Sequence, residues 1–205
     1  MIKVFLAGEG PNELGDFGNE ESFQPTGDKE RRNRPGVLEA LLRRVQPEGW
    51  EVTGGIRWVN LRKLKVGAGK RGEEESVHRA HFHAKKRGCQ VLAFARDQDK
   101  PRYAHRVDEI EAAMAALESA GDGPAIIGGV AIEKLESWLV AVASIRGSEA
   151  MTRPEEALST LGIDEKDTDA MVRHVEERGI DGVSADAASL RRWLDRARTI
   201  LAAPQ

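Results

Sequence analysis

Through residue 146, short apolar runs alternate with segments of helical periodicity, and that alternation leaves few folds open to the chain. IKVFLA at 2–7, QVLAFA at 90–95 and AIIGGVAI at 125–132 are predominantly apolar, with Lys3 the one charge among them, and of strand length, the pattern of strands covered on both faces. Between them Val37, Leu38, Leu41, Leu42 and Val45 recur at helical spacing, with Gly49 beyond the stop. A charged segment over 73–87, closed by Gly88, predicts a second helix. Val107, Ile110, Met114 and Leu117, running up to Gly121, predict a third. Leu135, Trp138, Leu139 and Val142 share one face of a fourth, which makes Trp138 a core residue rather than a base-stacking one. IRWVNLRKLKV at 56–66 alternates imperfectly and is read as the remaining strand. Strand and helix in turn predict an α/β fold: a parallel sheet of about four strands flanked by helices and joined by right-handed crossovers.

Beyond Arg146 the strand signals stop, and helical segments follow at 154–161, 167–178 and 186–201. The chain therefore divides into an α/β core over 1–146 and a C-terminal helical extension over 147–205 that packs on it. A hydrophobic fraction of 40% against 32% charged residues is that of a globular chain, not a disordered one. The net charge of −3 argues against a uniformly basic nucleic-acid coat but leaves room for local basic segments. Cys89 is the single cysteine, so a disulfide framework is excluded and a reducing cytoplasm is the expected setting. With the first strand expected to begin at Ile2, no signal peptide is expected, and no apolar run approaches a membrane span.

Carboxylates stand where the predicted strands run out: Glu9 and Glu13 after 2–7, Asp97 and Asp99 after 90–95, Glu133 after 125–132. Open parallel sheets bind ligands in the crevice beyond those strand ends. Crowded carboxylates need either raised pKa values or a hard cation, and a donor set of oxygens without thiols favours Mg²⁺ or Mn²⁺, as one or two ions. Asp97 and Asp99, two apart in an extended segment, are expected to point the same way. Basic side chains at Arg31, Arg32, Arg34, Arg62, Lys63, Lys65, Lys70 and Arg71 are placed to flank the acidic cleft and track a nucleic-acid backbone; ordinary solvated surface is the alternative. GAGKRG at 67–72 is not a phosphate loop, because Leu64 and Arg71 stand where glycine and a hydroxyl residue are required. His78, His81 and His83 cannot grip one ion, since His83 lies on the far side of a helix from His81.

Glu9-Gly10-Pro11-Asn12-Glu13 after the first strand, followed by Asp97-Gln98-Asp99 after a later one, resembles the Toprim domain. Topoisomerases, primases, maturase-type ribonucleases and the OLD-family nucleases share that fold. GVAIEKLESWLVA at 129–141, with Glu136-Ser137-Trp138-Leu139 opening a helix, is similar to the Glu-x-Trp-Leu segment of small stand-alone bacterial Toprim-like proteins, often encoded in phage-defence loci beside ATPases. The resemblance spans roughly residues 1–145. It implies a Toprim-like, Rossmann-like core and a Mg²⁺- or Mn²⁺-dependent nuclease or phosphodiesterase acting on nucleic acid, DNA ahead of RNA, in antiviral defence with a possible partner ATPase. It makes Asp97 and Asp99 the primary metal ligands and Glu9 a ligand or the general acid/base, with Glu13 and Glu136 available to complete a second site. Topoisomerase-type members carry a third acid where this chain has Pro101, which moves a third ligand to Glu133 or Glu136. Tyr103 follows the acidic loop and strand passage is not expected, and one cysteine cannot build a primase zinc motif. A catalytically silent module binding a partner protein or nucleotide, and a phosphatase of small phosphoesters, are the alternatives.

Overall fold

The computed structural model describes residues 1–19, 34–61 and 72–202. In chain order they form β1 (Ile2–Gly8), α1 (Pro11–Leu14) with a 3₁₀ turn over Gly15–Asn19, α2 (Val37–Val45), β2 (Trp50–Arg57), α3 (Trp58–Leu61) and α4 (Glu73–Lys86). There follow β3 (Val91–Asp97), α5 (His105–Ala120), β4 (Ala125–Ala131), α6 (Leu135–Val142), α7 (Pro154–Thr160), α8 (Thr168–Arg178) and α9 (Ala188–Leu201). The strands make one all-parallel sheet in the order β2-β1-β3-β4. None of the described helices is long and apolar enough to cross a membrane.

Alternation along the strands assigns each side chain to one of two apolar layers. Val4, Leu6, Ala93, Ala95, Ile127 and Ala131 face one layer, shared with residues of α2, α6, α8 and α9. Phe5, Ala7, Leu92, Phe94, Ile126 and Val130 face the other, shared with α4 and α5. The connection from β1 to β2 and that from β3 to β4 run in opposite directions across the sheet, so the crossover helices α2 and α5 cover opposite faces, as right-handed crossovers require. The strand order thus reverses between β1 and β3, and the strand ends at Gly8 and Asp97 stand at the switch point, the place where open parallel sheets take up ligands.

The second strand is not where the apolar pattern puts it. It occupies Trp50–Arg57, and the run read as a strand over 56–66 turns into α3 at Trp58, with 62–71 outside the described residues. Gly54 and Gly55 hide the true strand, because glycine is depleted in strands. Both serve close packing: a β-carbon on Gly54 would lie 3.0 Å from the Phe5 ring, and one on Gly55 2.8 Å from Cβ of Phe17. A register shift between Val4 and Phe5 leaves Thr53 as the extra residue of a bulge, so Trp50 faces the first layer whereas Ile56, of the same parity, faces the second.

The C-terminal helices bury their apolar stripes in the first layer. Trp193 donates from Nε1 to the Phe94 carbonyl at 2.9 Å and packs on Trp138, ring centroids 5.8 Å apart, while Trp138 Nε1 donates to Ser189 Oγ at 2.8 Å. Arg196, paired with Glu111, donates to the Gly128 carbonyl at 2.7 Å on the edge strand β4, capping a group that would otherwise be open to pairing with another chain.

Candidate active site

Strand parity divides the acids at the crevice into two groups. Asp97 closes β3 with its side chain on the face of Ala93 and Ala95 and accepts the Leu135 backbone N–H at 2.9 Å, at the start of α6. Glu13 in α1 and Glu136 in the first turn of α6 approach the same face, and both are buried, at 6% and 9% of full exposure. Glu13 accepts the Gly10 N–H at 2.8 Å, which closes the short first turn. Burial pushes the Asp97 carboxyl well above the usual carboxylate range, and the neighbouring charges of Glu13, Glu136 and Asp99 push it further. Burial raises Glu13 from 4.5 to about 7, with Glu136 adding to the rise and Arg57 opposing it. Glu136 is raised as well, first by burial. Among the described residues no basic side chain forms an ion pair with Glu13, Asp97 or Glu136.

The second group is bound by arginines. Arg96, buried on the opposite face of β3, pairs with Glu9 and, at 3.3 Å, with Glu73. Glu9 Oε1 also accepts the Asp97 N–H at 3.2 Å, so the first and third strand ends are stitched together. Glu73 begins α4, accepts Trp58 Nε1 at 2.6 Å and lies 3.3 Å from Arg106 of α5. Arg106 pairs with Asp99, donates to the Asp97 and Gln98 carbonyls at 3.0 and 3.1 Å, and is covered by the Tyr103 ring. Asp99 therefore does not point with Asp97. The extended segment ends at Asp97, and Asp99 turns into the left-handed region at φ 69°, a conformation that aspartate tolerates better than most residues.

Glu133 also has positive φ, 62°, and its carbonyl accepts the Asp99 N–H at 2.7 Å, so its backbone ties the β3 and β4 ends together. Glu133 is half-buried and its carboxylate is not among the strongest influences on Asp97, Glu13 or Glu136, whereas Glu136 is buried and acts on both Glu13 and Asp97. Lys134 lies 3.5 Å from Glu155; burial works to lower its pKa, but Glu155, Glu136 and Glu165 around it raise it overall. Of the basic residues proposed to meet nucleic acid, Arg34 is described and exposed. Arg31, Arg32, Arg62, Lys63, Lys65, Lys70 and Arg71 lie outside the described residues.

Among the described residues no three histidine, cysteine, aspartate or glutamate side chains converge tightly enough to enclose an ion. Glu13, Asp97 and Glu136 are coupled through space rather than gathered on a point. Magnesium and manganese commonly take one or two protein carboxylates and complete their shells with water and substrate oxygens. Asp97 with Glu13 or Glu136 fits that demand, because a desolvated carboxylate without a cationic partner gains most from a hard cation.

Sequence reasoning passed over Arg96, Glu73, Arg106, Trp58 and Arg57. A signal for Arg96 was present: a charge directly after the apolar run of a central strand, still within the reach of its buried faces, must find a partner. Glu73 and Arg106 carry no such mark, each standing in the polar first turn of a helix. Comparison of the chain with known protein families, curated proteins and solved structures finds no match.

Proposed function

We propose that this protein is a Mg²⁺- or Mn²⁺-dependent phosphodiester hydrolase with a Toprim-like core, acting as a nuclease. One observation carries the reading: Glu13, Asp97 and Glu136 crowd the strand-reversal crevice, desolvated and without ion pairs, and each is held above its ordinary pKa. Structural acids in a fold of this kind are paired, as Glu73 is by Arg96 and Arg106. Unpaired ones in a cleft mark chemistry.

A bound divalent ion supplies charge neutralisation at the phosphate and activation of water. The chain's own residues do the rest. Asp97, fixed by the Leu135 N–H, and Glu136, on the first turn of the same helix, present oxygens to the ion. Glu13, with a pKa of about 7, is poised to take up or release a proton near neutrality. Glu9 is held by Arg96 and the Asp97 N–H, and Asp99 by Arg106, so both fix the end of β3 at which Asp97 stands. The motifs at Glu9 to Glu13, Asp97 to Asp99 and Glu136 to Leu139 extend the proposal to a cytoplasmic antiviral defence role on DNA, with a partner ATPase.

The ion pairs of Glu9 and Asp99 favour a second reading, a catalytically silent module that binds a partner or nucleotide. Incubation with plasmid, linear DNA and RNA in Mn²⁺ or in chelator separates the two. The hydrolase reading predicts Mn²⁺-dependent cleavage that is lost in Asp97→Asn with circular dichroism unchanged. Cleavage that persists in that variant, or in chelator, contradicts it.

A further inference from the structure

Arg57 is the last residue of β2 and lies beside Gly8 in the register with β1. The bulge at Thr53 decides which way it points. Without the extra residue, Arg57 would share the face of Phe5 and Ala7; with it, the side chain falls on the face of Leu6, where Glu13 lies. Its Nε donates to the Glu9 carbonyl at 3.2 Å, which fixes the plane of the guanidinium at the crevice rim. The group is close enough to act on the Glu13 carboxylate, yet the two form no ion pair, and the Glu13 carboxylate is turned to the Gly10 N–H. Both terminal nitrogens of Arg57 thus lack a protein partner among the described residues, on a half-buried side chain whose orientation is already set. The other crevice arginines differ: Arg96 and Arg106 are committed to Glu9, Glu73 and Asp99.

We infer that Arg57 is the phosphate-orienting residue of the site, its free guanidinium edge receiving the non-bridging oxygens of a phosphoester beside the ion-binding carboxylates. A pre-oriented guanidinium fork matches two phosphate oxygens in a way that a lysine ammonium does not. Adjacent negative carboxylates and one anchored cation also explain how an acidic pocket accepts an anionic substrate: the ion and Arg57 together offset the charge. This inference rests on the metal-dependent reading above.

The test uses the full chain with Mn²⁺ and inorganic phosphate as the probe. Mn²⁺ binding is followed by electron paramagnetic resonance, and phosphate binding by paramagnetic relaxation of its ³¹P signal. The wild type is expected to bind Mn²⁺ and then to bring phosphate into the range of rapid relaxation. Arg57→Gln is expected to hold Mn²⁺ at least as tightly and to lose phosphate affinity about tenfold or more, with Arg57→Lys recovering part of it. Phosphate affinity within twofold of wild type in Arg57→Gln overturns the role of Arg57 while leaving the metal site standing. Failure of the wild type to bind Mn²⁺ removes the metal site, and the phosphate subsite with it.

Discussion

Asp97 shows at a single residue the conflict between folding and chemistry. Its carboxyl caps the start of α6 through the Leu135 N–H, yet burial and its acidic neighbours oppose its ionisation. Asparagine keeps the accepting oxygen and removes the charge. Asp97→Asn is therefore expected to raise the melting temperature of the metal-free protein by a few degrees and to abolish its gain on adding Mn²⁺, both read by thermal denaturation. A lower melting temperature in chelator would contradict the desolvation argument. The acids were legible in the sequence because each stands where an apolar strand runs out, the place at which open parallel sheets gather ligands. Their grouping was not: a period of two predicts Asp97 and Asp99 together, and it fails once the backbone reaches φ 69° at Asp99. Arg57 was beyond reach, since its direction depends on a bulge at Thr53 that only the pairing with β1 reveals.

At the scale of elements, β1, β3, β4 and the helices were readable wherever a long periodic pattern met a clear stop, as at Gly88 and Gly121. The strand β2 was not, because Gly54 and Gly55 answer to tertiary packing against Phe5 and Phe17 rather than to local propensity. Gly128 in β4 is a similar case: a β-carbon there would collide with the Phe94 ring and the Met114 sulfur. Gly128→Ala is expected to cost about 1–3 kcal/mol by overpacking, measured by urea unfolding. Gly88→Ala, which meets open space but has a φ of 66°, is expected to cost about 1 kcal/mol for a different reason, the left-handed backbone. Helix α9 is bound into the sheet by Trp193 and Arg196, so the C-terminal segment shares one core with the strands it covers.

For the whole molecule, the raised acids couple stability to pH and to cations. Below pH 4.5 Glu13 is protonated in the folded and unfolded chain alike; between 4.5 and about 7 only the folded chain keeps the proton, so stability falls as pH rises. Above about 7 the full penalty remains, on the order of 3 kcal/mol for Glu13. In chelator, the stability of wild type relative to Glu13→Gln is therefore expected to decline by about that amount between pH 5 and pH 8 in urea unfolding. A difference independent of pH would show that Glu13 is not held protonated by the fold. A divalent ion reverses the trend by replacing the protons.

Calorimetric titration of Mn²⁺ near pH 6.5, run in two buffers of different ionisation enthalpy, measures that exchange of protons for an ion. Binding accompanied by net release of protons, tighter at higher pH and lost in Asp97→Asn, is the predicted result. Absence of binding, or binding without proton release and unchanged in Asp97→Asn, would contradict the assignment of Asp97 and Glu136, beside Glu13, as a cation site.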